Sequence, residues 1–232
     1  MRVAIMQPTY LPWLGYFNLM ASVEHFVFLD NVQFSKQSWQ QRNRVIVNDR
    51  LLWLTVPVLS HGRSDQLIDQ VEVKNDTIWR SKHQKTIAEA CRGAPSGKLV
   101  MDLISEVLAK DENHLCEINI SLITAIADLL QLKCKTVRAS HLGCPGGRSD
   151  RLLAICRKLG ATEYFSPSGS REYLEADGVF ANAHFPVAYQ QFSPPAYRTA
   201  EPIAAGENPS IIDAIAWIGP EETRNIVCGK AL

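Results

Sequence analysis

The chain has 232 residues, 46% hydrophobic and 21% charged. That balance fits an ordinary globular protein and excludes a disordered, fibrous or polytopic membrane chain. At roughly 150 residues per domain, the length implies one large domain or a compact pair. The 24 Lys and Arg offset 24 Asp and Glu. A general nucleic-acid binder, which needs a basic surface, is therefore disfavoured, while little net repulsion opposes a homodimer.

Residues 2–6 form a short apolar, β-prone run stopped by Gln7-Pro8. It is too short for the apolar core of a signal peptide, and no run reaches the ~18 residues of a membrane-spanning helix, so a cytoplasmic protein without a membrane is expected. The spacing of Leu14, Phe17, Leu19, Met20 and Val23 predicts a helix over 14–24, and Phe26–Leu29 a second buried strand. Strand, loop, helix and strand within thirty residues make a parallel, right-handed βαβ opening. Two β-prone runs, 45–47 and 51–58, flank Asn48-Asp49 and read as a hairpin. Residues 67–73 read as a further strand.

Helical periods run from Thr77 to Cys91, over 98–109 and over 113–131, the last with a continuous apolar face. Residues 134–139 are expected to be a strand and 141–147, rich in Gly and Pro, a loop. Ser149 or Asp150 can cap a helix that Gly160 closes. Glu163–Phe165 is a short strand, Ser166–Ser170 a tight turn, and a helix is expected to begin over 170–175. Residues 186–192 are β-prone, and 210–217 form a last helix. The whole reads as an α/β chain: a Rossmann-like three-layer core over 1–75 and 133–192, a helical segment over 76–131, and a mixed C-terminal tail over 193–232.

Four constellations could carry chemistry. The loop after the first strand holds Gln7, Thr9, Tyr10, Trp13 and Tyr16. It sits at the carboxyl end of a strand, where open α/β sheets bind ligands, and mixes aromatic faces with hydrogen-bonding groups. Asp30 ends the second strand, and Lys36, Arg42 and Asn43 follow on a segment whose cations suit phosphate or carboxylate oxygens. That segment, 34–50, carries a local excess of three positive charges. Trp79 and His83 share one helix face, and His83 is a candidate general base, with Asp30 as the alternative. Ser166, Ser168 and Ser170 lie in a turn whose donors could hold an anion. The six cysteines have no zinc spacing and read as free thiols; no metal site is expected, and the cofactor stays open.

The pieces Ala4–Pro8, Tyr10, Pro12-Trp13 and Gly15–Phe17 resemble the WbqC-like family. So do Phe28-x-Asp30 with Val32–Phe34, Trp39, Arg42-Asn43, Trp53–Pro57, Trp79 with Lys82-His83, Tyr164–Ser166, Tyr173-Leu174, Tyr197 and Ser210–Asp213. Arg198 and Pro167 depart from the pattern, where Gln and Gly are common. The resemblance implies a role in O-antigen or other surface-polysaccharide assembly, with transfer of glycine or another aminoacyl or acyl group to an amino sugar. A looser likeness, in the order strand, Pro-Thr, helix and Val-Gln-Phe, is to pantothenate synthetases and related nucleotidylyltransferase-like enzymes. Where those have signature histidines, this chain has Trp13 and Tyr16.

The leading expectation is therefore a transferase acting on a nucleotide-linked amino sugar. His83, Asp30 and Lys36 are its candidate catalytic groups. Gln7, Thr9, Tyr10, Trp13, Tyr16, Arg42, Asn43, Ser166, Ser168 and Ser170 are candidate substrate contacts. The partner is a small molecule, either a nucleotide sugar or an acyl or aminoacyl donor; tRNA stays open only as that donor. The alternatives are an ATP-dependent adenylating amide ligase and a non-catalytic scaffold of the same pathway.

Overall fold

In a computed structural model of the chain, residues 1–63, 65–197 and 208–230 are described; Arg198 lies outside them. Five strands build a parallel sheet: β1 (Arg2–Met6), β2 (His25–Phe28), β5 (Lys135–Arg138), β6 (Glu163–Ser166) and β7 (Val187–Tyr189). Their spatial order is β5-β2-β1-β6-β7. In chain order, that is third, second, first, fourth, fifth, the doubly wound arrangement of Rossmann-like folds. The α/β expectation holds.

The sheet separates two cores because side chains alternate along each strand. Ala4, Phe26 and Phe28 face one cluster, and Val3, Ile5 and Val27 face the other. Over the first face lie α1 (Leu14–Ala21), α2 (Trp79–Ala90), α3 (Gly97–Leu108), α4 (Leu115–Leu129) and α9 (Ile212–Val227). The antiparallel hairpin of β3 (Arg42–Val47) and β4 (Arg50–Thr55) packs with them. The second face is covered by α5 (Ala139–Leu142), α6 (Arg148–Lys158), α7 (Arg171–Asp177) and α8 (Val179–Asn182).

The hairpin turns at the expected place. Asn48 and Asp49 both take left-handed backbone, with φ 48° and 58°, the geometry of a tight turn that matches strand twist. Four details differ from the sequence reading. Residues 67–73 are not a strand: Ile68–Gln70 is a 3-10 turn, and only isolated bridges flank it, Gln33 with Leu67, Val58 with Val73 and Glu72 with His114. The loop expected over 141–147 starts later, because Ala139–Leu142 is a helical turn. Neither Ser149 nor Asp150 caps α6; Gly147 is its N-cap, and the buried Ser149 hydroxyl donates to Asp177 instead.

The fourth difference is the largest. The expected tail supplies α9, which is core: Ile212, Ile215, Ile226 and Val227 are buried against α1 and α3. Gly219 breaks its first turns with φ 80°, and Pro220 restarts the helix. Pro is tolerated there because the first N–H of a helix needs no partner.

Candidate functional site

The sheet order reverses between β1 and β6, so the chain leaves the carboxyl ends of these neighbours in opposite directions. A crevice forms at such a reversal, and ligands bind there. The loops that depart from this edge carry most of the candidate residues: Gln7–Trp13 after β1, Asp30 after β2, and Ser166–Ser170 after β6.

Asp30 is fully buried. One carboxylate oxygen accepts from the Ser140 N–H at 2.8 Å; the other accepts from Arg138 Nε at 2.8 Å and the Ser140 hydroxyl at 2.7 Å. Burial alone would raise its pKa, but these donors outweigh it and hold the carboxyl below its usual range. Arg138 also bonds Glu117 at 2.6 Å. Asp30 thus ties β2 to β5, and both of its carboxylate oxygens are engaged. Asp69 comes beside it from the 3-10 turn, its N–H donating to the Asp30 carbonyl at 3.0 Å. The Asp69 pKa is raised, first by burial and then by the Asp30 charge, and its Oδ1 is buried without a hydrogen-bond partner. Asp69, Glu117, Arg138 and Ser140 escaped the sequence reading. Arg138 and Ser140 are 108 and 110 residues from Asp30 in the chain, and no local pattern marks them. Among the described residues no three His, Cys, Asp or Glu side chains converge as metal ligands would.

Amide side chains lock the first loop in place. Gln40 donates to Gln7 Oε1 at 2.8 Å. Asn119, fully buried on α4, donates to the Pro8 carbonyl at 3.1 Å and the Gln40 carbonyl at 2.8 Å. Asn43 donates to the Leu11 carbonyl at 2.6 Å. Asn43 therefore positions the loop backbone, and Gln40 and Asn119 join it in a network whose interest no sequence spacing revealed.

His83 lies behind the same loop. It is 6% exposed, its Nδ1 is 2.9 Å from the Tyr10 hydroxyl, and its ring also faces the Thr55 carbonyl. Burial pulls its pKa down to about 4, so the ring is neutral near pH 7. Trp79 meets it edge-on at 5.1 Å. Tyr10 is fully buried, so the expected helix-face pair of Trp79 and His83 is real but serves to hold the Tyr10 loop.

The other candidates divide. Tyr16 is buried against Phe17 and Phe26 and donates to the Gln7 carbonyl at 3.2 Å. The Trp13 indole lies where a Gly15 side chain would be: a Cβ there would stand 2.2 Å from the ring. Only glycine fits. Tyr16 is thus a buried packing group, and Trp13, half-buried, packs over Gly15. Gln7 and Thr9 are half-buried, Ser166 is buried, Ser168 is exposed and Ser170 half-buried. Gln190, after β7, closes the β6 side: its N–H donates to the Ser166 carbonyl at 2.8 Å and its amide to the Gly15 carbonyl at 2.8 Å. Lys36 is exposed, and Arg42 lies over the Trp53 ring on the hairpin rather than beside Asp30. A groove of about 620 Å³ between α3 and α4 contains none of these residues.

The fold and its edge define a Rossmann-like α/β protein whose motif residues mainly hold one another. Trp13 bridges Ser210, the Ser210 N–H donates to the Arg44 carbonyl, and Tyr197 bonds Asp213 at 2.9 Å. The chain belongs to the WbqC-like protein family, whose model matches residues 7–225. An uncharacterised protein of Mycobacterium tuberculosis (strain ATCC 25618 / H37Rv) is 30% identical over 223 residues, covering 95% of each chain. No solved structure matches the chain. No helix among the described residues is long and apolar enough to cross a membrane.

Proposed function

We propose that the protein transfers an acyl or aminoacyl group, glycine among the candidates, to the amine of a nucleotide-linked sugar in surface-polysaccharide assembly. The observation that carries the reading is the Asp69 carboxylate at the carboxyl edge of β2: raised in pKa, beside the saturated Asp30–Arg138 pair, with one buried oxygen unpartnered. In this reading the sugar amine attacks the donor carbonyl carbon. The C–N bond forms, the bond to the donor's leaving group breaks, and the amine proton passes to Asp69, a base made stronger by burial. The Ser166–Ser170 turn and the Gln7 loop bind the acceptor across the β1–β6 reversal. His83 and Asp30 are positioning residues here, since their hydrogen-bonding atoms are already engaged. Family membership supports the polysaccharide setting.

The test incubates the protein with a UDP-linked amino sugar and, in turn, acetyl-CoA, glycine with ATP, or a glycyl-RNA, reading the acceptor's mass. The expected result is acylated acceptor with one donor. Asp69→Asn loses turnover yet keeps its melting midpoint and acceptor binding. An acceptor that binds but stays unmodified with every donor overturns the transfer reading in favour of a scaffold.

A further inference from the structure

Three buried amides around the first loop are matched at both ends. Gln41 accepts from the Gln37 N–H at 3.0 Å and donates to the Val56 carbonyl at 2.9 Å. Asn43 accepts from the Arg44 N–H at 2.7 Å and donates to the Leu11 carbonyl at 2.6 Å. Gln40, 2% exposed, accepts from the Ser35 N–H at 2.9 Å and donates to Gln7 Oε1 at 2.8 Å. A backbone N–H can only donate, so Ser35 fixes which end of Gln40 is the acceptor. Gln40 then offers Gln7 its NH2 group, and Gln7 answers with its oxygen. The other branch of the Gln7 amide is a donor, and no acceptor among the described residues meets it. Gln7 is the first residue after β1, where Met6 is level with Phe28 on β2. The Leu29 N–H donates to the Met6 carbonyl at 2.8 Å, and the Asp69 N–H to the Asp30 carbonyl one residue further on. Gln7 and Asp69 therefore belong to the ends of adjacent strands, which in a sheet lie about 4.8 Å apart. One brings a donor and the other a carboxylate.

We infer that Gln7 holds the carbonyl oxygen of the acyl donor, an assignment that rests on the transfer proposed above. When the sugar amine attacks, the C–N bond forms and the carbonyl π pair moves onto oxygen. Gln7 Nε2 donates to that oxygen while Asp69 takes the amine proton. On collapse the pair returns, C=O is restored, and the leaving group departs with the electrons of its bond. The rest of the loop keeps the acceptor beside it. A neutral amide suits this oxygen, because full charge appears on it only in the tetrahedral species and a donor already in place need not reorient. The preorganisation lies in the relay from Ser35 through Gln40 to Gln7, whose polarity runs one way from a backbone N–H to the strand end. A glutamine that only tied the loop to Gln40 would need its oxygen and nothing more. The substrate class selected is a carbonyl electrophile. A phosphoryl centre, charged before attack, calls for a cation instead, and Arg138 on this edge is bonded to Asp30 and Glu117.

The experiment measures kcat and KM of the full chain and its variants with a UDP-linked amino sugar and, in turn, acetyl-CoA, glycine with ATP, or a glycyl-RNA. Gln7→Glu keeps an oxygen that accepts from Gln40 and loses only the donor; Gln7→Met, uncharged, loses both. The expected result for either is a kcat roughly 100- to 1,000-fold below that of the parent, with the acceptor KM unchanged and the melting midpoint of Gln7→Glu near the parent's. Gln40→Glu checks the polarity. It still accepts from the Ser35 N–H but turns an acceptor towards Gln7, which has to rotate its nitrogen inward, so kcat falls although Gln7 itself is intact. Gln7→Glu or Gln40→Glu with the parent's kcat, or a loss confined to KM or to the melting midpoint, overturns the assignment and leaves the transfer reading standing. A parent that acylates the acceptor with none of these donors overturns the transfer reading, and the assignment falls with it.

Discussion

The charges at the carboxyl edge of the sheet and those on the hairpin are handled in opposite ways. Asp30 is fully buried and meets Arg138 and Ser140 through three hydrogen bonds. Arg42 lies over the half-exposed Trp53 indole at the surface of the hairpin. The same residue types thus hold the fold together in one place and face the surroundings in the other. Burial decides which. A charge removed from water has to be paired at every lone pair or proton, and breaking one partner leaves the other stranded. A charge at the surface can be lost at little cost.

The sharpest break in this comparison comes from Asp30→Ala. It strips Arg138 of its buried partner and leaves the Ser140 N–H without an acceptor. The expected loss is about 3–5 kcal/mol, read as a large drop in the denaturant midpoint; a loss below about 1 kcal/mol would mean that water reaches the pair. Next is pH. The His83 pKa falls from 6.5 to about 4, mainly through burial. Above pH 6.5 neither state binds the proton, and the full contribution is present. As pH falls towards 4, the unfolded chain takes up a proton that the folded chain refuses, and stability drops by about 3 kcal/mol. His83→Gln should flatten the stability profile over that window. An unchanged profile would show that His83 is open to water.

Sequence legibility followed the same division. The strands Val3–Met6 and Phe26–Phe28 announce themselves because a buried parallel sheet needs unbroken apolar runs, and Asn48-Asp49 because two consecutive left-handed residues need those side chains. Residues 67–73 alternated like a strand, but among the described residues only isolated bridges lie alongside, and the segment turns at Ile68–Gln70. His83 looked like a free base because its partner Tyr10 lies 73 residues away. The Asp30 end of β2 was legible as a place of interest, whereas Arg138, Asp69 and Asn119, which make that place what it is, arrive only through tertiary packing.

Two smaller effects probe the packing between these regions. Asn119→Ala removes the donor shared by the Pro8 and Gln40 carbonyls and should cost about 1–3 kcal/mol. Gly15→Ala drives a Cβ into the Trp13 ring; overpacking of this kind costs about 1–3 kcal/mol, at the low end if the indole can swing aside. Pairing it with Trp13→Ala should recover part of the loss, since the clash vanishes with the ring. Additive losses in the double variant would place the strain in the backbone instead.

The smallest expected effect is on the hairpin and is the most informative. Arg42→Ala with Arg44→Ala removes two guanidiniums from a surface where each cation–aromatic contact contributes roughly 0.5–1 kcal/mol. The folded state should lose no more than about 1–2 kcal/mol, because β3 and β4 still pair and Val45, Val47 and Leu54 remain buried beneath them. Urea unfolding of parent and variant, at low and high salt, measures this directly. A loss as large as that of Asp30→Ala would make the arginines part of the frame. A small loss would show that the frame does not depend on either guanidinium, and that the two half-exposed tryptophans hold their place through the hairpin backbone.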